Sequence, residues 1–570
     1  MQKVWLDSYP PGVAAEINAE EFASVNEVLE RTCRKYPARP AFRNLGTTLT
    51  YSDIDRLSRC FAAWLQRESG LRPGSRVALM MPNLLQYPIA LFGILRAGMI
   101  VVSVNPLYTA RELEHQLKDS GAEAIVILEN FAHVLESVLE HTPLKRIVTT
   151  EAGDMLRPAL RRLAVNTAVK HVKKMVPDWR IEGALKWRAV LRSGGRLPLD
   201  EARPAPSDTA LLQYTGGTTG AAKGAVLSHG NLVANVLQGR EWARHLITES
   251  QETIITALPL YHIFSLTVNC LMFVERAALN VLITNPRDLK GFVAELRKTR
   301  FTVITGVNTL YNGLMRTPGF ESIDFRPLKL ALGGGAAIQP AVAERWHALT
   351  GKSVVEGYGL TETSPLVACN LLDAAYSGTI GLPVPSTDVT LLDEEEREVP
   401  CGEKGEICVR GPQVMQAYWH RPEETRNAMV PGGWLRTGDI GVMDERGFFR
   451  VTDRKKDMIL VSGFNVYPNE VESVIGAIPG VVESAVIGVS DPVTGEAVKA
   501  LVVRSRESLT SDEVIANCRQ HLTSYKVPRL VEFRAELPKN PIGKVLRREL
   551  RAAELQEPAH PAPAGHPDAA

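Results

Sequence analysis

The sequence predicts an α/β protein made of a large, multi-subdomain amino-terminal part and a small α+β carboxy-terminal part. Three observations predict it. A chain of 570 residues exceeds what one ordinary core organises. Apolar strand-like runs alternate with period-3.6 segments as far as about Val451. Near Asp453 the texture changes to short strands interleaved with two helical segments, enough for a compact second domain.

In chain order, SVNEVLERTCRKY predicts a first helix, with Ser24 and Glu27 at capping-box spacing. Strands are expected at RVALMM, MIVVSV and EAIVIL. The apolar run from Pro88 to Val104 contains Arg96 and two glycines and falls short of the roughly 20 residues a bilayer needs, so it reads as a buried helix and strand. Residues 155 to 192 carry ten Lys or Arg against two acids. Helical spacing there puts Val165, Ala168, Val169, Val172, Met175 and Val176 on one face and Asn166, Lys170, Lys173 and Lys174 on the other. Such a helix either docks on the core through its valines or lies on an anionic membrane surface. From Ala210 to Val451 the α/β pattern is expected to continue through TALLQY, ETIITALP, ALNVLIT and KLALGGG. Beyond Asp453, DMILVSG, ESAVIGV, AVKALVV and LVEF read as strands and 468 to 477 and 511 to 522 as helices. The Pro-, Ala- and His-rich tail 558–570 reads as disordered.

With 65 basic and 64 acidic residues the chain carries a net +1, which gives no bulk reason to expect nucleic acid. Seven scattered cysteines without a C-x-x-C pair point to neither a disulfide framework nor a zinc site, and fit a reducing cytosol. The amino terminus lacks the layout of a signal peptide.

The strongest local signal is YTGGTTGAAKG. Glycines let backbone N–H groups approach phosphate oxygens, threonines add hydroxyl donors and Lys223 adds positive charge, so a polyphosphate is the natural ligand. The spacing is not that of a Walker A loop. LALGGGAAI, around Gly333, Gly334 and Gly335, and EGYGLTETSP add two glycine clusters. In the second, Tyr358 offers a stacking face, Thr361 a hydroxyl and Glu362 a hard oxygen suited to Mg²⁺. Asp439 sits in the glycine-flanked WLRTGDIG, where a carboxylate can accept from ribose hydroxyls. PKNPIGKVLRREL places Lys544 after Gly543 at the start of a basic helix. LPLYHIFSLTVNCLMF and ITGVNTLYNGLM are long apolar stretches, a kind that more often forms ordinary core than a ligand tunnel.

Taken in order, YTGGTTGAAKG, LPLYHIF, EGYGLTETSP, WLRTGDIG, DRKKDMILVSGFNVYPNEVE and PKNPIGKVLRREL resemble the adenylate-forming superfamily of acyl-CoA synthetases, luciferases and peptide-synthetase adenylation domains, over almost the whole chain. Within it the chain is similar to the bacterial long-chain fatty-acid-CoA ligase group. The resemblance implies an amino-terminal AMP- and acyl-binding domain (1–452), a hinge at Asp453 and a mobile carboxy-terminal domain (453–557). It implies that Tyr214, Thr215, Gly216, Gly217, Thr218, Thr219, Gly220, Lys223 and Gly224 hold the triphosphate. Gly333 to Gly335 and Tyr358 would flank the adenine, with Thr361 beside the phosphates, Asp439 and Arg454 on the ribose and Glu362 on Mg²⁺. Lys544 would be the adenylation lysine, aided by Lys223 and Glu362; Gly463 and Phe464 would line the pantetheine channel, and His262 the mouth of the acyl pocket. Two positions depart from the commonest superfamily loop: Gly216 stands for a serine and Ala222 for a proline.

The implied reaction joins a long-chain fatty acid to coenzyme A at the expense of ATP, releasing AMP and diphosphate. The implied setting is cytoplasmic, with peripheral attachment to the inner face of a membrane and no nucleic-acid partner. The competing readings are an adenylating ligase for aryl or medium-chain acids, or for a carrier-protein thiol, and a catalytically silent nucleotide- and fatty-acid-binding protein at the membrane surface. Oligomeric state is not readable from the sequence.

Overall fold

The computed structural model describes residues 3–215, 222–462, 464–540 and 543–556. The chain divides into two compact units, residues 1–437 with 442–450, and 438–441 with 451–570. The expected disordered tail, Gly216 to Gly220 and Gly463 lie outside the described residues.

The larger unit is built on two mixed sheets. One has the order Ala417–Tyr418, Lys223–Ser228, Thr209–Thr215, Ile100–Ser103, Arg76–Met80, Ala124–Leu128, Arg146–Thr150 and Leu185–Lys186, parallel except where Lys223–Ser228 pairs with its neighbours. The other includes the parallel run Leu279–Leu282, Thr253–Thr256, Val303–Gly306, Leu330–Gly333 and Val354–Gly359. The apolar runs make these strands because they are buried on both faces, as a parallel sheet requires. The segment Pro88–Val104 divides between helix Gln86–Arg96 and strand Ile100–Ser103, and Arg96, wholly buried, is held by Asp55 and Ser58. Ser24 caps the first helix by accepting from the Glu27 N–H. The Glu27 carboxylate reaches the Ala23 N–H instead of closing the box on Ser24.

Two expectations are corrected. The α/β pattern does not run unbroken to Val451: Asp388–Leu392, Gly405–Arg410, Trp434–Met443 and Met429–Val430 lie in a separate small sheet, antiparallel between the first two and between the last two. In the basic segment, a short helix Ala159–Thr167 and a π turn Ala168–Val172 replace the longer helix, leaving Met175 and Val176 beyond it. Asn166, assigned to the solvent face, anchors the helix: it donates to Glu151 at 2.6 Å and accepts from the Gly153 N–H at 2.7 Å. Val165, Ala168 and Val169 are half-buried, while Leu160 and Leu163 join Val172 and Met175 in solvent.

The smaller unit is an α+β domain. Strands Val481–Asp491 and Gly495–Arg504 form a long antiparallel pair; the free edge of Gly495–Arg504 takes Ile459–Val461, followed by Phe464–Val466, at its start and Leu530–Phe533 farther along. Alternation sends Val486, Val498, Ala500 and Val502 against helices Pro468–Gly476 and Ser511–His521. Ala485, Ile487, Leu501 and Val503 face the other way, onto Leu537, which precedes helix Arg547–Gln556, and Leu550 within it. Both faces of the sheet are therefore covered.

Candidate active site

In the larger unit the phosphate motif forms the two legs of an antiparallel hairpin, with Tyr214 opposite Gly224 and Thr215 opposite Lys223. A Cβ at position 224 would lie 3.0 Å from the Tyr214 ring, so a glycine lets the ring lie flat across the strands. The Tyr214 hydroxyl donates to Asp119 at 2.7 Å, and burial together with that carboxylate holds its pKa far above the usual phenol range. It remains a proton donor at any physiological pH.

The two glycine clusters meet at the carboxyl ends of parallel strands, where α/β sheets place their ligands: a Cβ on Gly334 would lie 3.1 Å from the Gly357 carbonyl. Gly306, Gly333 and Glu356 are in register on three adjacent strands. Gly333 and Gly334 are buried, and Gly335 has φ +76°, a left-handed turn that glycine makes at no steric cost. The Phe264 ring backs onto Gly334, 3.0 Å from where a Cβ would sit, and this draws the His262 segment to the glycine turn. His262 Nδ1 accepts from the Phe264 N–H, and the π helix Ser265–Met272 follows directly. The Glu356 carboxylate accepts from the Ile338 N–H at 2.8 Å, and burial pushes its pKa up to about 7.

Tyr358 ends the adjoining strand, and Thr361 and Glu362 form a short 3-10 turn packed against both hairpin legs. Here the structure reveals residues that the sequence did not single out. The Tyr418 hydroxyl donates to Glu362 Oε1 at 2.7 Å, its ring lies 4.0 Å from Lys223 Nζ, and Lys223 pairs with Glu424 at 2.7 Å. Tyr418 thus touches both the anionic and the cationic group of the site. The only available signal was their clustering in QAYWHRPEET, which carries no local turn chemistry. Glu362 and Thr361 offer hard oxygens beside the glycine-rich hairpin. Because Mg²⁺ commonly takes one or two carboxylates and completes its shell with substrate phosphates, these donors fit it.

In the smaller unit Asp439, almost wholly buried, pairs with Arg454 at 3.0 Å. Asp453 is fully buried and accepts from the backbone N–H groups of Arg454 and Asn469; burial raises its pKa to about 6. Lys544 is not at the start of a helix as expected. It stands in a turn in which its N–H donates to the Asn540 side chain and its carbonyl accepts from the Asn540 N–H, and the helix begins at Arg547. Burial lowers the Lys544 pKa to about 7; Arg454, Arg547 and Lys456 push the same way and Asp439 opposes them. Arg547, also unforeseen, is clamped by Glu472 at 2.7 Å and ties the first residue of helix Arg547–Gln556 to helix Pro468–Gly476. Phe464 is exposed and stacks on Tyr525 with centroids 4.9 Å apart.

Residues 29–419 match the family model of the AMP-binding enzyme and residues 470–544 that of the AMP-binding enzyme C-terminal domain. The chain is 55% identical over 552 residues to a long-chain-fatty-acid–CoA ligase of Escherichia coli O157:H7, covering 97% of this chain and 98% of that protein. It is equally 55% identical over 557 residues to one of Yersinia pestis, covering 98% and 99%. Among solved structures, an anthranilate CoA ligase bound to anthranoyl-AMP is similar with a TM-score of 0.83 and 25% identity, over 94% of this chain and 99% of that one. With its glycine-rich hairpin, its glycine turns at strand ends and family matches in both units, the chain belongs to the AMP-binding enzyme family.

Proposed function

We propose that this enzyme is a long-chain fatty-acid–CoA ligase that works through an acyl-adenylate. The observation that carries the reading is near-full-length identity of 55% to ligases of that name, with both family segments present. A carboxylate is a poor electrophile, since it is anionic and would have to expel oxide. Attack of its oxygen on the α-phosphorus of ATP breaks the bond to the β-phosphate, and pyrophosphate leaves. The coenzyme A sulfur then attacks the acyl carbonyl, AMP departs and the thiol proton passes to solvent.

In this reading Tyr214 to Gly224 hold the triphosphate, with Lys223 and Lys544 countering the charge that crowds together during adenylation. Gly333 to Gly335 and Tyr358 flank the adenine, Asp439 and Arg454 take the ribose, and Thr361 lies by the phosphates. Glu362 would hold Mg²⁺, which supplies charge neutralisation at the phosphate oxygens when bound. His262 lies at the acyl mouth. Gly463 and Phe464 line the thiol's approach, with Asp453 as the hinge between the two steps.

Release of AMP and pyrophosphate across acids from acetate to stearate, with and without coenzyme A, tests the proposal. A maximum at long chains, with thioester formed only when coenzyme A is present, is expected. A maximum at aryl or medium-chain acids, or adenylation without thioester, would overturn it.

Among the described residues no helix is long and apolar enough to cross a membrane. We further propose peripheral attachment from the cytoplasmic side, because Leu160, Leu163, Val172 and Met175 are 75%, 63%, 76% and 53% exposed beside exposed Lys170, Lys173 and Lys174. Leu160→Ser with Leu163→Ser should reduce co-sedimentation with anionic phosphatidylglycerol vesicles by about tenfold, taking roughly 1.4 kcal/mol as one decade of affinity. Unchanged co-sedimentation would remove this surface from consideration.

A further inference from the structure

The hairpin of the phosphate motif is gripped from outside by groups with no part in the reaction as described. Asp119, in the last turn of helix Ala110–Ser120, stands at the centre. Its Oδ2 accepts from the Tyr214 hydroxyl at 2.7 Å, its Oδ1 from Arg421 Nη2 at 2.6 Å, and its backbone carbonyl from Trp419 Nε1 at 3.1 Å. One turn earlier on the same helix, His115 Nε2 lies 3.0 Å from the Ala222 carbonyl, on the other leg. The Trp419 N–H donates to the Gly224 carbonyl at 2.8 Å. Both legs are therefore tied to the same helix end.

The contacts continue as a line of alternating charge. Asp119 pairs with Arg421, Arg421 Nε lies 3.6 Å from Glu424, and Glu424 pairs with Lys223. An isolated pair at a half-exposed site contributes little to stability. A line of four charges ending on the lysine of the motif sets where that lysine and the two legs lie. Preorganised donors act on a phosphate without rearrangement when it arrives, which is the usual gain from such outer support.

We propose that Asp119 is a positioning residue for nucleotide binding, aligning Tyr214 on one leg of the hairpin and, through Arg421 and Glu424, Lys223 on the other. This rests on the reading of the hairpin as the triphosphate site. It concerns the described legs, 214–215 and 222–224.

Asp119→Ala, Asp119→Asn, Tyr214→Phe, the double variant Asp119→Ala/Tyr214→Phe and Lys223→Ala would be compared. The measurements are KM for ATP in pyrophosphate exchange, ATP binding by calorimetry, thioester formation from preformed acyl-adenylate, and thermal midpoint. Asp119→Ala should raise KM and Kd for ATP about tenfold while converting preformed adenylate within about twofold of the parent rate. Asp119→Asn keeps an acceptor for Tyr214 but loses the charge facing Arg421, and should fall between. The double variant should be no weaker than Asp119→Ala alone, because both changes cut the same contact. If Lys223→Ala weakens ATP and Asp119→Ala does not, or if Asp119→Ala lowers both half-reactions equally along with the thermal midpoint, the positioning role is overturned. If Lys223→Ala itself leaves ATP binding unchanged, the triphosphate reading of the hairpin fails, and the role of Asp119 with it.

Discussion

Replacing Lys544 with alanine is expected to slow adenylation by about 10²–10³-fold, the usual loss when one preorganised donor to a developing charge is removed. Conversion of preformed acyl-adenylate to thioester should stay within a few-fold of the parent rate. Pyrophosphate exchange measures the first half-reaction and thioester formation from synthetic adenylate the second; equal losses in both would refute the division of labour. The pH dependence follows from the environment of this lysine. With its pKa lowered to about 7, the lysine loses its charge as pH rises through neutrality, so adenylation at subsaturating ATP should decline there. Unfolded chains keep that proton to about pH 10, so the linked contribution to stability rises from pH 7 to 10 as rate falls. Lys544→Arg, which stays charged throughout, should flatten the decline in rate.

Glu362→Gln is expected to reduce adenylation about 10²-fold, again with preformed adenylate converted near the parent rate. Glutamine retains an oxygen for the Tyr418 hydroxyl, so the change removes charge with little change of shape. A thermal midpoint within about 0.5 °C of the parent would fit a loss below about 1 kcal/mol in a chain of this size. The Mg²⁺ concentration giving half-maximal rate should rise. Parent-like adenylation would remove this carboxylate from the phosphate chemistry.

Much of the site was legible because its signals are local. A glycine-rich run after an apolar strand marks backbone that can approach phosphate, and EGYGLTETSP carries its ring, hydroxyl and carboxylate within a few residues; the second leg, Lys223–Ser228, came from the structure. Asp119, Tyr418 and Glu424 were not legible, because they reach Tyr214, Glu362 and Lys223 from 95, 56 and 201 residues away in sequence. Nothing in the local pattern distinguishes Asp119 from any other acid near a helix end. Lys544 illustrates the same division: its motif marked it, whereas its lowered pKa depends on burial and on Arg454, Arg547 and Lys456 being folded around it.

The sequence by itself determined the order of elements, the two-part architecture and the apolar strands of the parallel sheets, since hydrophobic period and turn chemistry act over a few residues. It also carried the family, through motifs kept in order along the chain. Tertiary structure alone decided which face of helix Ala159–Thr167 looks outward. Periodicity put Asn166 with the lysines on the solvent face, whereas its bonds to Glu151 and Gly153 anchor it inward and leave Leu160 and Leu163 in solvent. It likewise decided the line of charge from Asp119 to Lys223, because Coulomb interactions depend on distance in space, which separation along the chain does not set.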